Sequence, residues 1–207
     1  MKNIYLLGGG GHCRSCIDVI ESTNLYRIVG IFDTSVNTNE MVGAYKYLGD
    51  DHEINKLITA DDSALVCIGH IKSYVRRQEL YNDLVRIGCD IPTIVSPHAY
   101  VGRRVDIGAG TIVMHGVVVN VGVSIGLNSI INSQALLEHD VTVGEHSHVS
   151  TGAIVNGGVT IGSGTFIGSG TVLHQGITIG SSCVVAAGSV VTESLEDYGW
   201  YPRRPES

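Results

Sequence analysis

Three histidines crowd the stretch LLEHDVTVGEHSHVSTG, residues 136–152. An imidazole titrates at about pH 6.5, so it can take up and release protons near neutrality. His139 is followed directly by Asp140, a carboxylate able to hold one ring nitrogen and raise the basicity of the other. That pair reads as a general base. His148 is expected in a functional position and His146 on the surface. Cys13 and Cys16 form a C-x-x-C with no second pair to complete a metal or redox motif. They are expected to be small packing residues on a helix. The five cysteines are odd in number and scattered, so no disulfide framework is expected.

The element that must carry the histidines is set by a six-residue clock. From Val95 to Val191, every sixth residue is Val, Ile or Leu, at seventeen positions in succession. The residue after each is often glycine or small, as in IGAG, VGEH and IGSG. One aliphatic side chain per six residues points to a central axis, and glycine permits the φ > 0 geometry of tight turns. Three such hexapeptides make a triangular coil of about eighteen residues, as in hexapeptide β-helices. His139 and His148 lie nine residues apart, half a coil. Within one prism they stand across the cross-section, so a shared substrate would have to lie between two neighbouring chains.

The front of the chain reads differently. NIYLLGGGGHCRSCIDVIEST is a strand, a glycine turn and a helix, and YRIVGIFDTS is a second strand ending at Asp33. SALVCIGH is a third strand, SYVRRQELYNDLVRIG a helix, and IPTIVSP a strand leading into the coil. This alternation predicts a small parallel sheet flanked by helices. The fold class is thus an α/β N-terminal domain with a small parallel, Rossmann-like sheet, followed by a left-handed parallel β-helix. The boundaries are 1–93, 94–192 and a tail at 193–207. The G-x-G-x-x-G pattern fails, because Cys13 stands where its last glycine would. With about ninety residues there is no room for two mononucleotide halves, so one nucleotide or nucleotide-sugar is expected rather than a dinucleotide.

Composition narrows the partners. A net charge of −7 argues against nucleic acid or an anionic membrane. No apolar run approaches the ~20 residues needed to span a bilayer. MKNIYLLGGGG has too short an apolar run for a signal peptide, so a cytoplasmic protein is expected.

The whole pattern, to about residue 192, resembles the hexapeptide-repeat sugar acetyltransferases. These include the UDP-4-amino-sugar (bacillosamine-precursor) and perosamine N-acetyltransferases and the sialic acid O-acetyltransferases. The motifs that carry the resemblance are GGGGH at Gly8–His12, FD at Phe32–Asp33, CIGH at Cys67–His70, INSQALLEHD at Ile131–Asp140 and GEHSHVSTGA at Gly144–Ala153. The resemblance implies an acetyl-CoA-dependent enzyme, a homotrimer with active sites between neighbouring β-helices. No metal is expected, because no two coil histidines have the five-residue spacing that carbonic anhydrases of this fold use for zinc. The resemblance also implies that His139 and Asp140 are catalytic and that Gly10, Gly11, His12, Asp33, Gly69 and Asn132 hold a nucleotide-linked amino sugar. His148 is expected to meet the thioester and donate to its oxygen, directly or through a nearby backbone N–H, and Gly157, Ser169 and Ala187 to follow the pantetheine arm. The C-terminal YGWYPRRPES departs from the family's usual closing turn. Either Trp200 or Tyr201 stacks on adenine with Arg203 and Arg204 at the 3′-phosphate, or the tail merely caps the last coil. Two other functions fit the same residues: O-acetylation of a sialic acid or related sugar, and non-catalytic binding of a nucleotide-sugar by a trimeric scaffold.

Overall fold

A strand buried on both faces of a parallel sheet needs apolar residues at consecutive positions. KNIYLL supplies them at its end and forms β1 (Lys2–Leu7), with Leu6 and Leu7 fully buried. The computed structural model describes residues 1–34 and 41–202. β1 lies between β2 (Tyr26–Phe32) and β5 (Ser63–Val66), parallel to both. β3 (Met41–Val42) and β4 (Tyr45–Gly49) complete the order β3-β4-β2-β1-β5. α1 (Gly11–Thr23) starts at the glycine turn and buries Cys13 and Cys16, as their expected packing role requires. α3 (Val75–Ile87) leads to the coil.

The β3–β4 pair and α2 (Asp51–Leu57) were not anticipated from the sequence. The helix had a legible start: Asp50 caps the His52 N–H, and Asp51 and Glu53 favour the positive end of the helix dipole.

From Ile94 onward the chain is a left-handed parallel β-helix of two-residue rungs. The clock residue is the second of each rung, and rungs pair with those eighteen residues away, as Val118–Val119 does with Leu136–Leu137. Every clock residue from Val113 to Val191 is buried, while Val95, Val101 and Ile107 at the open first coil are half-buried. The first residue of each rung points outward and gives each of the three faces its own character. One face presents Asp106, Ser124, Thr142, Thr160 and Thr178. The second presents Tyr100, Val118, Leu136, Ile154, Val172 and Val190, all apolar. The third, with Ile112, Ile130, His148, Phe166 and Val184, carries the N-terminal domain. Trp200–Tyr201 adds a last rung to it beside Val184–Val185, so the tail does cap the coil; Arg203 and Arg204 lie outside the described residues.

Arg77 of α3 locks the two parts together. It is fully buried and donates from Nε to the Asn128 carbonyl at 2.9 Å, and from Nη1 to the Val66 and Ile68 carbonyls at 2.8 Å each. Those carbonyls flank the end of β5, so a coil-facing arginine sets the path of the chain into Gly69 and His70.

Candidate functional site

Glycine is required in the loop after β1 because other groups crowd it. A Cβ on Gly9 would lie 2.4 Å from the Tyr47 hydroxyl, and the Gly9 N–H donates to Asp33 Oδ2 at 2.6 Å. Asp33 therefore braces the loop, with one oxygen committed to the backbone. Gly10, Gly11, His12 and Gly69 line a cavity of about 440 Å³, open at the N-terminus of α1, together with His70 and His148. The first turn of α1 holds no acid and no side chain caps it, so the positive end of its dipole suits an anionic group.

A second cavity, about 410 Å³, runs along the coil past Ser150, Phe166, Ser169, Ala187 and Trp200. Ser169 and Ala187 were both expected there. Trp200 joins them, whereas Tyr201 turns its hydroxyl back to the Val190 carbonyl at 2.9 Å. His148 and Ile71 line both cavities.

His148 is held at both nitrogens. Its Nδ1 lies 2.9 Å from the His70 carbonyl oxygen, which can only accept, so Nδ1 carries the proton. Burial pushes the ring pKa down to about 4, against the pull of that hydrogen bond. The ring is thus neutral at pH 7, and its Nε2 lone pair accepts from the Asn132 amide at 3.2 Å. Of the two routes expected from His148 to a thioester oxygen, direct donation from Nε2 does not fit this tautomer, since Nε2 has no proton to give. Asn132 is the donor beside it, its carbonyl oxygen fixed by the Ser133 N–H at 2.8 Å.

His139 and Asp140 line neither cavity; they stand at the turn after the Leu136–Leu137 rung. Nδ1 of His139 donates to Asp140 Oδ2 at 2.9 Å, which leaves Nε2 with its lone pair. Both side chains are mostly exposed, at 61% and 73%. Gly157, expected at the pantetheine arm, lies beneath His139: a Cβ there would come within 2.6 Å of His139 Nε2. Gly157→Ala should fold normally, since its backbone is not left-handed, yet should push the imidazole aside. Activity at saturating substrate is expected to fall about tenfold or more, as misplacement of a reacting group does. Unchanged turnover would show that His139 has room to spare.

The turns here carry an unusual backbone load. One residue per hexapeptide takes positive φ, a place glycine fills in most coils. From 128 to 146 the four such residues are Asn128, Gln134, Asp140 and His146. A non-glycine residue there costs about 1–2 kcal/mol, and such strain concentrates at working sites. His146 is not the surface residue expected from sequence. It is buried, its Nδ1 accepts from the Asn128 amide at 2.9 Å, and it stacks on Tyr74. The N-terminal domain, packed over this turn, takes it out of solvent.

Burial and the neighbouring His148 push His70 down to about 3. With the folded-state values of His70 and His148 below the unfolded value of about 6.5, the unfolded chain binds more protons through the window between them. Stability is therefore full above pH 6.5 and is lost as pH falls toward 4 and 3. Calorimetric Tm should be flat from pH 8 to 7 and drop steadily from 6.5 to 4. A flat Tm to pH 4 would mean that these rings accept protons in the fold. Sequence reasoning carried His70 only within the CIGH motif, where it singled out Gly69, and missed Arg77.

A PglD N-terminal domain model matches residues 3–84, and a bacterial transferase hexapeptide (six repeats) model matches 158–193. The chain thus carries a region similar to the PglD N-terminal domain followed by one similar to the transferase hexapeptide repeats. Over 116 residues, 55% of this chain, it is 31% identical to UDP-N-acetylbacillosamine N-acetyltransferase of Bacillus subtilis (strain 168). That match spans about half (52%) of the relative. Among solved structures, the acetyltransferase domain of PglB from Neisseria gonorrhoeae FA1090 in complex with acetyl coenzyme A superposes with a TM-score of 0.89 at 25% identity, over 99% of both chains. PerB from Caulobacter crescentus in complex with CoA and GDP-perosamine gives 0.86 at 28% identity, over 95% of this chain and 92% of that one.

Proposed function

We propose that the protein is an acetyl-CoA-dependent N-acetyltransferase acting on a nucleotide-linked amino sugar, a 4-amino sugar, in the cytoplasm as a step in bacterial surface-glycan synthesis. One observation carries the reading: His148 lines the glycine-loop cavity and the coil cavity at once, so ligands in the two meet at its ring. The names of the relatives support the substrate classes, and the PerB complex holds both kinds of ligand. The nucleotide-sugar lies over Gly10, Gly11, His12 and Gly69, its diphosphate at the start of α1, and Asp33 holds that loop. The pantetheine arm passes Ser169 and Ala187, and Trp200 stacks on adenine.

The chemistry is direct transfer. The neutral amine attacks the thioester carbonyl, a C–N bond forms, and the excess proton passes from nitrogen to His139 Nε2. The C–S bond then breaks, and the proton goes on to the departing thiolate. Asp140 holds the other ring nitrogen and stabilises the imidazolium. The Asn132 amide and His148 form the wall beside the acetyl group.

The protein works as a homotrimer, because His139 stands outside the cavities of its own chain. The apolar face of Tyr100, Val118, Leu136, Ile154, Val172 and Val190 ends in the turns that carry Asp140 and Gly157. It offers a neighbouring chain a surface that would bring His139 to the next chain's His148.

Thiol release from acetyl-CoA against a panel of UDP- and GDP-linked 4-amino sugars tests the activity. Release with none of them, in a trimeric preparation, would refute it. Subunit exchange tests the shared site. His139→Ala trimers mixed with His148→Ala trimers should regain activity above the mean of the parents, since some clefts carry both native residues. Recovery no better than that mean, with exchange confirmed by mass spectrometry, would place both histidines in one chain's site.

A further inference from the structure

His70 is more than nine-tenths buried, and neither of its ring nitrogens has a hydrogen-bond partner. A neutral imidazole carries one N–H and one lone pair, and leaving both buried and unpaired is costly. The ring is not idle filler of a distant core. It lines the glycine-loop cavity and packs edge-on against His148 and Phe166, at ring-centroid distances of 5.6 and 6.4 Å. Its backbone carbonyl is the acceptor that fixes the His148 tautomer. Arg77 in turn fixes the chain at Ile68, two residues before it. The residue is firmly placed beside the junction of two cavities, and its two ring nitrogens have no partner within the chain.

The chemistry of that partner follows from the charge around it. Burial above all, and then the charges that His148, Arg77, His146 and His12 can carry, keep His70 neutral. A phosphate can only accept, so it could meet the N–H alone, and it would call for a charge that this ring does not carry. A hydroxyl both gives and accepts, and can bond to either nitrogen. If the diphosphate lies at the α1 N-terminus, the sugar ring is the part that reaches the junction.

We propose that His70 is a specificity-determining residue that hydrogen-bonds a free hydroxyl of the acceptor sugar, adjacent to the amine that is acetylated. The assignment rests on the acetyltransferase reading above and deepens it. His70 sets which sugar is accepted and how its amine is turned, and takes no proton in the transfer.

The test compares wild type, His70→Phe and His70→Gln on a nucleotide-linked 4-amino sugar and its analogue lacking the hydroxyl next to the amine. The phenylalanine variant keeps the ring and removes both unpaired nitrogens, so its Tm should equal or exceed that of wild type. Its kcat/KM for the hydroxylated sugar should fall at least about tenfold, with the KM for acetyl-CoA within twofold of wild type. Wild type should lose at least about tenfold on the deoxy analogue, and His70→Phe less than twofold more. His70→Gln, which restores a donor and an acceptor, should recover part of the discrimination even if the phenylalanine variant folds poorly. The inference is overturned if wild type turns over both sugars alike. It is also overturned if His70→Phe is less stable and weakened equally toward both substrates, the result expected of a ring bonded to its own surroundings. Wild type that acetylates no nucleotide amino sugar would instead remove the acetyltransferase reading, and this inference with it.

Discussion

His139→Ala is expected to lower kcat at least ~100-fold while leaving the fold and both binding constants nearly intact. Proton transfer by a placed side chain contributes about 10²–10⁴-fold. The imidazole meets the requirements for that role: Asp140 occupies Nδ1, which leaves Nε2 bare, and Gly157 leaves room for the ring. Stability should hold because the side chain is 61% exposed and supports no core contact. Asp140→Asn should cost less, since an amide still orients the ring but no longer stabilises its charged form. Stopped assays of thiol release over a range of both substrates would separate kcat from KM. A variant retaining more than half of wild-type turnover would remove His139 from the mechanism.

The second large effect concerns the apolar face. Ile154→Asp should dissociate the assembly and carry activity down to the level of His139→Ala. On an isolated chain the change is mild, within about 0.5 kcal/mol, because Ile154 is at a half-open surface position. Between chains it leaves a carboxylate facing Leu136 and Val172 on the adjacent rungs with no partner, and a buried unpaired charge costs several kcal/mol. Thr160→Asp, on the polar face, is the control and should change neither assembly nor rate. Light scattering and turnover measured on the same samples decide the matter. A fully active trimer carrying Ile154→Asp would show that this face is not the contact.

The coil was written in the sequence residue by residue. A clock side chain every six residues has no other use than an inward-facing stack, and the run from Val95 to Val191 kept that register without a break. The apolar face was legible too, at a period not read. Tyr100, Val118, Leu136, Ile154, Val172 and Val190 each precede a clock residue and recur every eighteen, while the polar face alternates with them at its own eighteen-residue spacing. The His139–Asp140 pair could be read because neighbours on one turn project together. The β3–β4 pair and α2 were overlooked because short elements carry little periodicity.

Three features were decided only by the tertiary structure, and for one reason: the N-terminal domain folds down onto a single face of the coil. That contact buries His146, which the sequence placed at the surface. It puts the His70 carbonyl against His148 Nδ1 and so turns an expected donor into an acceptor. It draws Arg77 into the seam, where its guanidinium holds three backbone carbonyls from two parts of the chain. The residues in these contacts lie up to 78 positions apart, and local patterning has no means of encoding which of them will meet. The six-residue clock determines the prism; the desolvation and hydrogen bonding along one covered face determine the protonation states of its histidines.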